Sequence, residues 1–369
     1  MSDTAKRLLL SGALFLAHAP QANADMTVDV GTNATATFYG QFDPAYLSFD
    51  DGVSRESEIV DNTNSNSRIG VWYRQPTDTG EFSINLETAL GLRPSAGLDQ
   101  LNTPDAFDWD RTDIRKVEAI WQDTRFGTVF VGQGSMSSDG ASSQDLSGTT
   151  LVLYNSISDT AGAVLFRTTD GALSARPFAQ SFASFDGARK ARVRDVTPAF
   201  SGFSLSVSYG EEVLSKNVDD SVSDVAVQYK GAVGAVQMVG AVAYSRVSFE
   251  NRSTRYDTIG SFSLLHDSGF NVTVAAGDRR DAGSYAYAKI GYKAEWFNVG
   301  TTAVAVDYYA GDDQSTAGSE SASVGIGVVQ SFKDANIDAY LGYRSYRLTE
   351  DAASYLDASS VLFGARWKF

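Results

Sequence analysis

An alternation of apolar and polar side chains, with a period of two, runs to the last residue of the chain. Val361, Phe363, Ala365, Trp367 and Phe369 fall on one side, and Ser360, Gly364, Arg366 and Lys368 on the other. A β-strand sends successive side chains to opposite faces, so this segment has one oily and one wet face. The pattern recurs upstream: Phe82, Ile84, Leu86 and Leu90 stand against Ser83, Asn85 and Glu87, and Phe203, Leu205, Val207 and Tyr209 against Ser204, Ser206 and Ser208. Ile337, Ala339, Leu341 and Tyr343 repeat it against Asp338, Tyr340 and Arg344. Such strands suit a soluble sheet packed on a core, or a barrel with lipid outside and water inside.

At the other end, Lys6 and Arg7 precede an apolar run from Leu8 to Ala17, and Ala22-Asn23-Ala24 offers a small-residue cleavage site before Asp25. This pattern predicts a secretory signal peptide over 1–24 and a folded part over 25–369. No other stretch approaches the roughly 20 apolar residues of a membrane helix, which leaves an exported soluble protein or a closed barrel. The chain has no Cys and only two His, His18 and His266. Disulfides, thiolate metal sites and multi-His sites are thereby excluded, and a His-activated nucleophile could rest only on His266. With 33 Gly, 17 Tyr and 21 Phe against 7 Pro, the composition is that of a β-rich chain with tight turns and aromatic faces. A net charge of -15 argues against nucleic acid as a partner and predicts acidic loops or an acidic lumen.

The breaks between strands are unequal. Asp78-Thr79-Gly80, Ser201-Gly202, Gly231-Ala232, Asp267-Ser268-Gly269 and Asp334-Ala335-Asn336 are short turns, whereas 50–67, 93–111, 211–222 and 312–321 are long, polar and acidic. Short turns at one end and long loops at the other, with strands of about ten residues, predict an all-β fold: a transmembrane antiparallel β-barrel of about sixteen strands. A barrel of that width encloses water, because its side chains cannot fill it. After Gly132-Gln133 no membrane strand is recognisable until about Ala188. So long a surface loop would be unusual, and the segment 134–188 is expected to fold into the lumen. It carries Asp139, Asp145, Asp159 and Asp170, and Arg189, Lys190, Arg192 and Arg194 follow it. Acids on the loop facing bases on the wall would set a transverse field across a narrow pore.

The chain resembles the Gram-negative general porins, trimeric barrels of sixteen strands with a constriction loop in each channel. The resemblance is carried by Phe38-Tyr39-Gly40, Ser67-Arg68-Ile69-Gly70, Phe126-Gly127-Thr128 with Gly132-Gln133-Gly134, Arg194-Asp195-Val196-Thr197-Pro198 before Gly202-Phe203, and the terminal Phe369. It implies wall arginines at Arg68, Arg115 and Arg194; alternation and the charge pattern add Arg74 and Arg192 to the basic wall, give an acidic loop of Asp139, Asp145 and Asp159, and leave Gln41, Asp43 and Glu87 as further lumen positions. On the fourth strand the two readings disagree. A gapless count back from Gly127 selects Arg115, whereas alternation with Val117, Ala119 and Trp121 puts Lys116 and Glu118 in the lumen. Where the family often has a lumen lysine on the first strand, this chain has Gln41.

The implied function is passive diffusion of ions and small hydrophilic solutes across the outer membrane, with a weak cation preference from the acidic excess and Gln41. The implied partners are outer-membrane lipid and lipopolysaccharide, two further copies in a homotrimer, and the solutes themselves. No cofactor and no enzymatic activity are expected. Two alternatives remain. A substrate-specific channel would line its lumen with aromatics, for which Tyr39, Tyr285, Tyr287 and Tyr340 are the candidates. An exported soluble binder or hydrolase could use acid pairs such as Asp219-Asp220 or Asp312-Asp313 for calcium or for acid-base chemistry, but these lack the spacing of a calcium loop. Gly132, Gly134 and Gly140 make no phosphate loop, and Asn271-Val272-Thr273 lies within an expected membrane strand.

Overall fold

A computed structural model describes residues 26–369, so the expected signal peptide over 1–24 lies outside the described residues. β1 (Met26–Val30) forms a hairpin with β2 (Ala34–Phe42), which continues past Asp43 into β3 (Pro44–Asp50). β4 (Arg55–Asp61) and β5 (Arg68–Thr77) likewise make one stave, interrupted at 62–67. β6 (Gly80–Ala89), β7 (Ile114–Asp123) and β8 (Gly127–Ser135) follow. The insertion 136–188 holds α1 (Ser158–Ala161), a hairpin of β9 (Leu165–Arg167) and β10 (Leu173–Pro177), and α2 (Phe178–Ser181). The wall resumes with β11 (Arg189–Val196), β12 (Phe203–Glu211), β13 (Ser221–Val233), β14 (Val236–Ser248), β15 (Arg255–His266) and β16 (Phe270–Arg279). It ends with β17 (Ser284–Phe297), β18 (Gly300–Asp312), β19 (Glu320–Phe332), β20 (Ile337–Glu350), the short β21 (Ala353–Ser354) and β22 (Ala358–Lys368).

Counting β2–β3 and β4–β5 as one stave each, and leaving out β1 and the short β9, β10 and β21, the wall has sixteen antiparallel staves. It closes where β22 pairs with β3, Ser359 opposite Asp50 through Gly364 opposite Ala45, and then with the end of β2. The terminal residue completes the seam: Gly40 donates to the Phe369 carbonyl at 2.8 Å, and Phe369 donates back at 3.1 Å. Below it, β1 takes over the free edge of β2. The two faces of the wall are inverted relative to a soluble protein. On β17, Ile290 is 66% exposed while its neighbour Lys289 is 1% exposed. Apolar side chains outside and charged ones inside are what lipid around a polar interior requires.

The turns at 78–79, 124–126, 234–235, 267–269 and 298–299 share one end of the barrel, and the longer connections 90–113, 136–188, 212–220 and 313–319 share the other. Two expectations are corrected. The stretch 50–67 is not one long loop, because β3 and β4 extend the wall above the membrane, where outward positions such as Arg55 and Ser57 face water and the apolar Leu47 and Phe49 turn inward. Its hairpin is tied by Asp51, which accepts from Val53 and Ser54 backbone N–H groups at 3.0 and 2.7 Å. Although burial opposes the charge, these bonds with Gln100 and Arg167 hold the Asp51 carboxyl down at about 2. The turn expected at Gly231-Ala232 lies three residues later, with Gly234 at φ +57, since β13 and β14 stay paired to Val233 opposite Val236.

The insertion lies against the inner face of the wall. Its irregular backbone finds partners on wall hydroxyls: Gln144 and Leu146 N–H donate to Ser261 and Ser263 Oγ at 2.8 and 2.9 Å, and Ser137 N–H to Ser208 Oγ at 2.8 Å. In return Tyr309 and Ser321 donate to the Ala183 and Ser181 carbonyls at 2.8 and 2.6 Å. Without these partners the buried groups would each cost about 1–3 kcal/mol. Apolar packing adds to this, with Phe178 stacked on Tyr346 at 4.2 Å and Phe182 edge-on to Tyr309 at 5.6 Å. Val152 and Leu153 enter a socket floored by glycine, where a Cβ on Gly327 or Gly342 would stand 2.7 Å from Val152. Gly342→Val should therefore unseat the insertion while leaving the wall ladder intact. Limited proteolysis is expected to cut within 136–188 in the variant but not in the parent, with heat-modifiable migration retained in both.

Candidate channel constriction

Beside this packed half of the interior, charged side chains converge from the wall and from the insertion. Glu87 on β6 accepts from Arg115 Nε at 2.7 Å and from Tyr39 Oη at 2.9 Å, and lies 3.7 Å from Arg68 Nε. Arg115 and Arg68 also donate to Asn66, to its side-chain and backbone oxygens at 3.1 and 3.2 Å. The conflict on the fourth strand is resolved by a bulge: Glu87 pairs with Lys116 and Thr88 with Ile114, so Arg115 is the extra residue. Alternation holds for Glu118, which is buried, and for Val117 and Trp121, which are exposed; the bulge turns Arg115 inward above them. Arg189 and Arg366 act electrostatically on Arg68. Arg366 donates to Ser65 Oγ at 3.0 Å and pairs with Asp338 at 2.8 Å.

The insertion supplies the opposing charge. Asp139 stands 3.9 Å from Arg189 and acts electrostatically on Arg115 and Arg194. Behind it, Asp139, Asp159 and Asp186 all act on the Tyr154 hydroxyl, which burial chiefly and these charges further push up to about 12. Burial also raises the Asp159 carboxyl to about 7, with Asp186 contributing. Burial and then Asp139 raise Asp186 to about 6, against hydrogen bonds from Gly140 and Ser142 N–H. The acid face is thus partly protonated near neutral pH. A cavity of about 260 Å³ lined by Asn66, Thr112, Arg115, Arg189 and Ser215 opens beside the arginines.

Other sequence-expected positions are occupied differently. Arg192 is buried, bonded to Glu118 and donating to the Gly132 and Ser135 carbonyls at 2.9 and 3.1 Å, so its charge is spent within the wall. Arg194 donates to Ser206 at 3.0 Å. Arg74 lies six residues along β5 from Arg68, about 20 Å at the rise of a strand, and is paired with Glu81 at 3.9 Å. Asp145 is held by Lys289 at 2.5 Å, and Lys289 also donates to the Leu153 carbonyl at 2.8 Å. Gln41 and Asp43, expected in the lumen, are buried: Gln41 donates to the Ser65 and Asn66 carbonyls at 2.6 and 2.9 Å, and Asp43 accepts from Tyr340 Oη at 2.5 Å. Tyr285, Tyr287 and Tyr340 are likewise covered, at 4, 4 and 5% exposure.

Alternation alone does not select Arg189, because it precedes Ala191 and Val193 on the outward face; only its place at the start of the strand frees it. Asp186 and Lys289 carry no local signal, since their roles depend on where the insertion docks. Among the described residues no cluster of His, Asp or Glu could hold a metal ion.

A closed barrel of sixteen staves, apolar outside and charged within, with acids facing arginines, defines a membrane channel. A sequence-family model for Gram-negative porins matches residues 11–351, and the chain belongs to that family. It forms a channel in the outer membrane. Among solved structures it is similar to the anion-selective porin of Comamonas acidovorans, at 13% identity over 91% of this chain and 100% of that one, TM-score 0.62. OmpF of Salmonella typhi, in complex with daunomycin, matches at 12% identity over 93% and 100%, TM-score 0.58. OmpT of Vibrio cholerae, described in a trimer form, matches at 16% identity over 92% and 100%, TM-score 0.56. Comparison with curated proteins gives no match.

Asp139 and Asp145, the first two acids of the insertion, are expected to behave differently. Asp139→Asn should move ion preference toward anions, read as a reversal-potential shift in planar bilayers. Asp145→Asn leaves Lys289 buried without its counter-charge, a change that typically costs 3–5 kcal/mol. It should loosen the insertion, seen as protease cleavage within 136–188.

Proposed function

We propose that the protein is a non-enzymatic general porin that conducts ions and small hydrophilic solutes passively with a weak preference for cations. The observation that carries this reading is the juxtaposition of Asp139 on the insertion with Arg115, Arg189 and Arg194 on the wall, with Asp159 and Asp186 behind it around Tyr154. Opposed charges across a narrow aqueous gap orient polar solutes without holding any one of them. Acids at the loop-rich end, among them Asp105, Asp108, Asp110 and Asp113, add a negative field at the mouth. A sugar-selective reading has less support, because Tyr285, Tyr287 and Tyr340 are buried, and Tyr39, the fourth candidate, is bonded to Asn85 and Glu87. The likeness to a porin described as a trimer supports a homotrimer.

The raised carboxyls give the reading a pH signature. Above about 7 for Asp159 and about 6 for Asp186 both carry charge; below these values they are neutral and the arginines dominate. In a potassium chloride gradient across planar bilayers, the cation-to-anion permeability ratio is expected to fall roughly threefold between pH 8 and pH 5. A ratio independent of pH would remove these acids from the ion path, and a sealed bilayer would remove the channel.

A further inference from the structure

The outward face of the wall between β14 and β16 departs from a plain apolar belt. Along β14 the exposed residues run Val242, Tyr244, Arg246 toward the loop-rich end, an apolar, then aromatic, then cationic order. Tyr256, directly opposite Arg246 in the β14–β15 register, stacks with Tyr244 at a centroid distance of 6.3 Å. The guanidinium of Arg280 lies 4.4 Å above the Tyr256 ring. Arg246 and Arg280 therefore flank one tyrosine on the outside of the barrel, just above an aromatic girdle.

These two charges are not neutralised within the protein. On the inner face of the same strands, Arg255 and Arg279 both pair with Asp257, at 2.9 and 2.7 Å. The outward Arg347 on β20 is paired with Asp357 at 2.8 Å. Among the described residues Arg246 and Arg280 have no carboxylate at ion-pair distance. Of the outward acids, Asp278 lies two register pairs lower, opposite Thr258, and Glu211 accepts from Tyr209 Oη at 2.8 Å.

Below the arginines the surface is hollow. A groove of about 640 Å³ is floored by Gly260 and Ala276 and walled by Val242, Phe262 and Val274. The register sets Val242, Gly260 and Ala276 side by side, four register pairs below Arg246 and Tyr256. At the rise of a strand that is about 13 Å, from the headgroup level into the hydrocarbon.

We propose that this face binds one lipid of the outer leaflet whose headgroup carries phosphate. Arg246 and Arg280 clamp the phosphate oxygens, Tyr244 and Tyr256 sit at the interface, and an acyl chain lies in the Gly260–Ala276 groove. Guanidinium groups match phosphate geometry with paired donors, and a groove of small residues lets a chain approach the wall closely. The groove gives the site a length and direction that a free phosphate ion would not use.

Native mass spectrometry of the protein extracted in mild detergent tests this. The parent is expected to retain a phosphorylated lipid. Arg246→Ser with Arg280→Ser should lower the retained fraction about tenfold, and Ala276→Leu, which fills the groove without touching charge, should lower it severalfold. Arg347→Ser should leave it unchanged. Equal retention in the parent and the double variant overturns the proposal, as does loss in the Arg347 variant of the same size. Loss with the double variant but not with Ala276→Leu overturns the lipid in favour of a bare phosphate contact. Heat-modifiable migration of each variant separates loss of binding from loss of fold.

Discussion

In hydrocarbon a backbone N–H or C=O without a partner costs several kcal/mol, and this penalty shapes the rest of the molecule. The wall escapes it only by closing, and closure falls on the seam of β22 with β2 and β3, down to the paired bonds between Gly40 and Phe369. Sixteen staves then enclose a space too wide for wall side chains to fill. The insertion answers that second problem and meets the first one again, since its own irregular backbone is buried. The serines of the inner face serve there as partners for Gln144, Leu146 and Ser137 rather than as a surface for water.

The same logic divides the charges. A guanidinium or carboxylate inside the barrel is stable either in water or in a bonded pair, and both kinds occur. Arg192 with Glu118, Lys289 with Asp145 and Arg344 with Asp307 are enclosed pairs that tie strands and insertion together. Arg68, Arg115 and Arg189 share less acid than they carry base: Glu87 serves the first two from the wall, and Asp139 faces Arg189 from the insertion. The position of the insertion therefore fixes the field in the channel, and the glycine socket under Val152 and Leu153 fixes the insertion.

Much of the fold was legible in the sequence because lipid imposes a simple rule on alternate residues. Strand number, the unequal ends and the insertion between Gln133 and Ala188 follow from it and match the observed elements. The rule fails where lipid is absent. Above the membrane, β3 and β4 turn their apolar residues Leu47, Phe49 and Val60 inward and polar ones outward, and the polar run around them suggests a loop in the sequence alone. It fails also at a bulge, where one added residue at Arg115 reverses the side-chain order that alternation had predicted. Arg68, Arg115, Arg194 and Glu87 on the wall, with Asp139 and Asp159 on the insertion, are proposed to act in conduction and were candidates by type and position. Their partners were not, because Asp145 meets Lys289 across a gap of more than one hundred residues that only the docked insertion closes.

Formal charge is consequently a poor guide to what an ion meets in this channel. Residues that contribute fully to a net charge of -15 are electrically silent to the lumen once paired, as Asp145 and Glu118 are. Others are weakened by burial, as Asp159 and Asp186 are near neutral pH. What remains is a small set of groups on two facing surfaces, Arg68, Arg115 and Arg189 with Glu87 on the wall and Asp139 on the insertion. Opposed charges on facing surfaces set a transverse field, which sorts solutes by dipole and size as well as by sign. Selectivity in such a channel can change sign through one or two substitutions on the insertion, whereas the barrel that carries them tolerates no break in its seam.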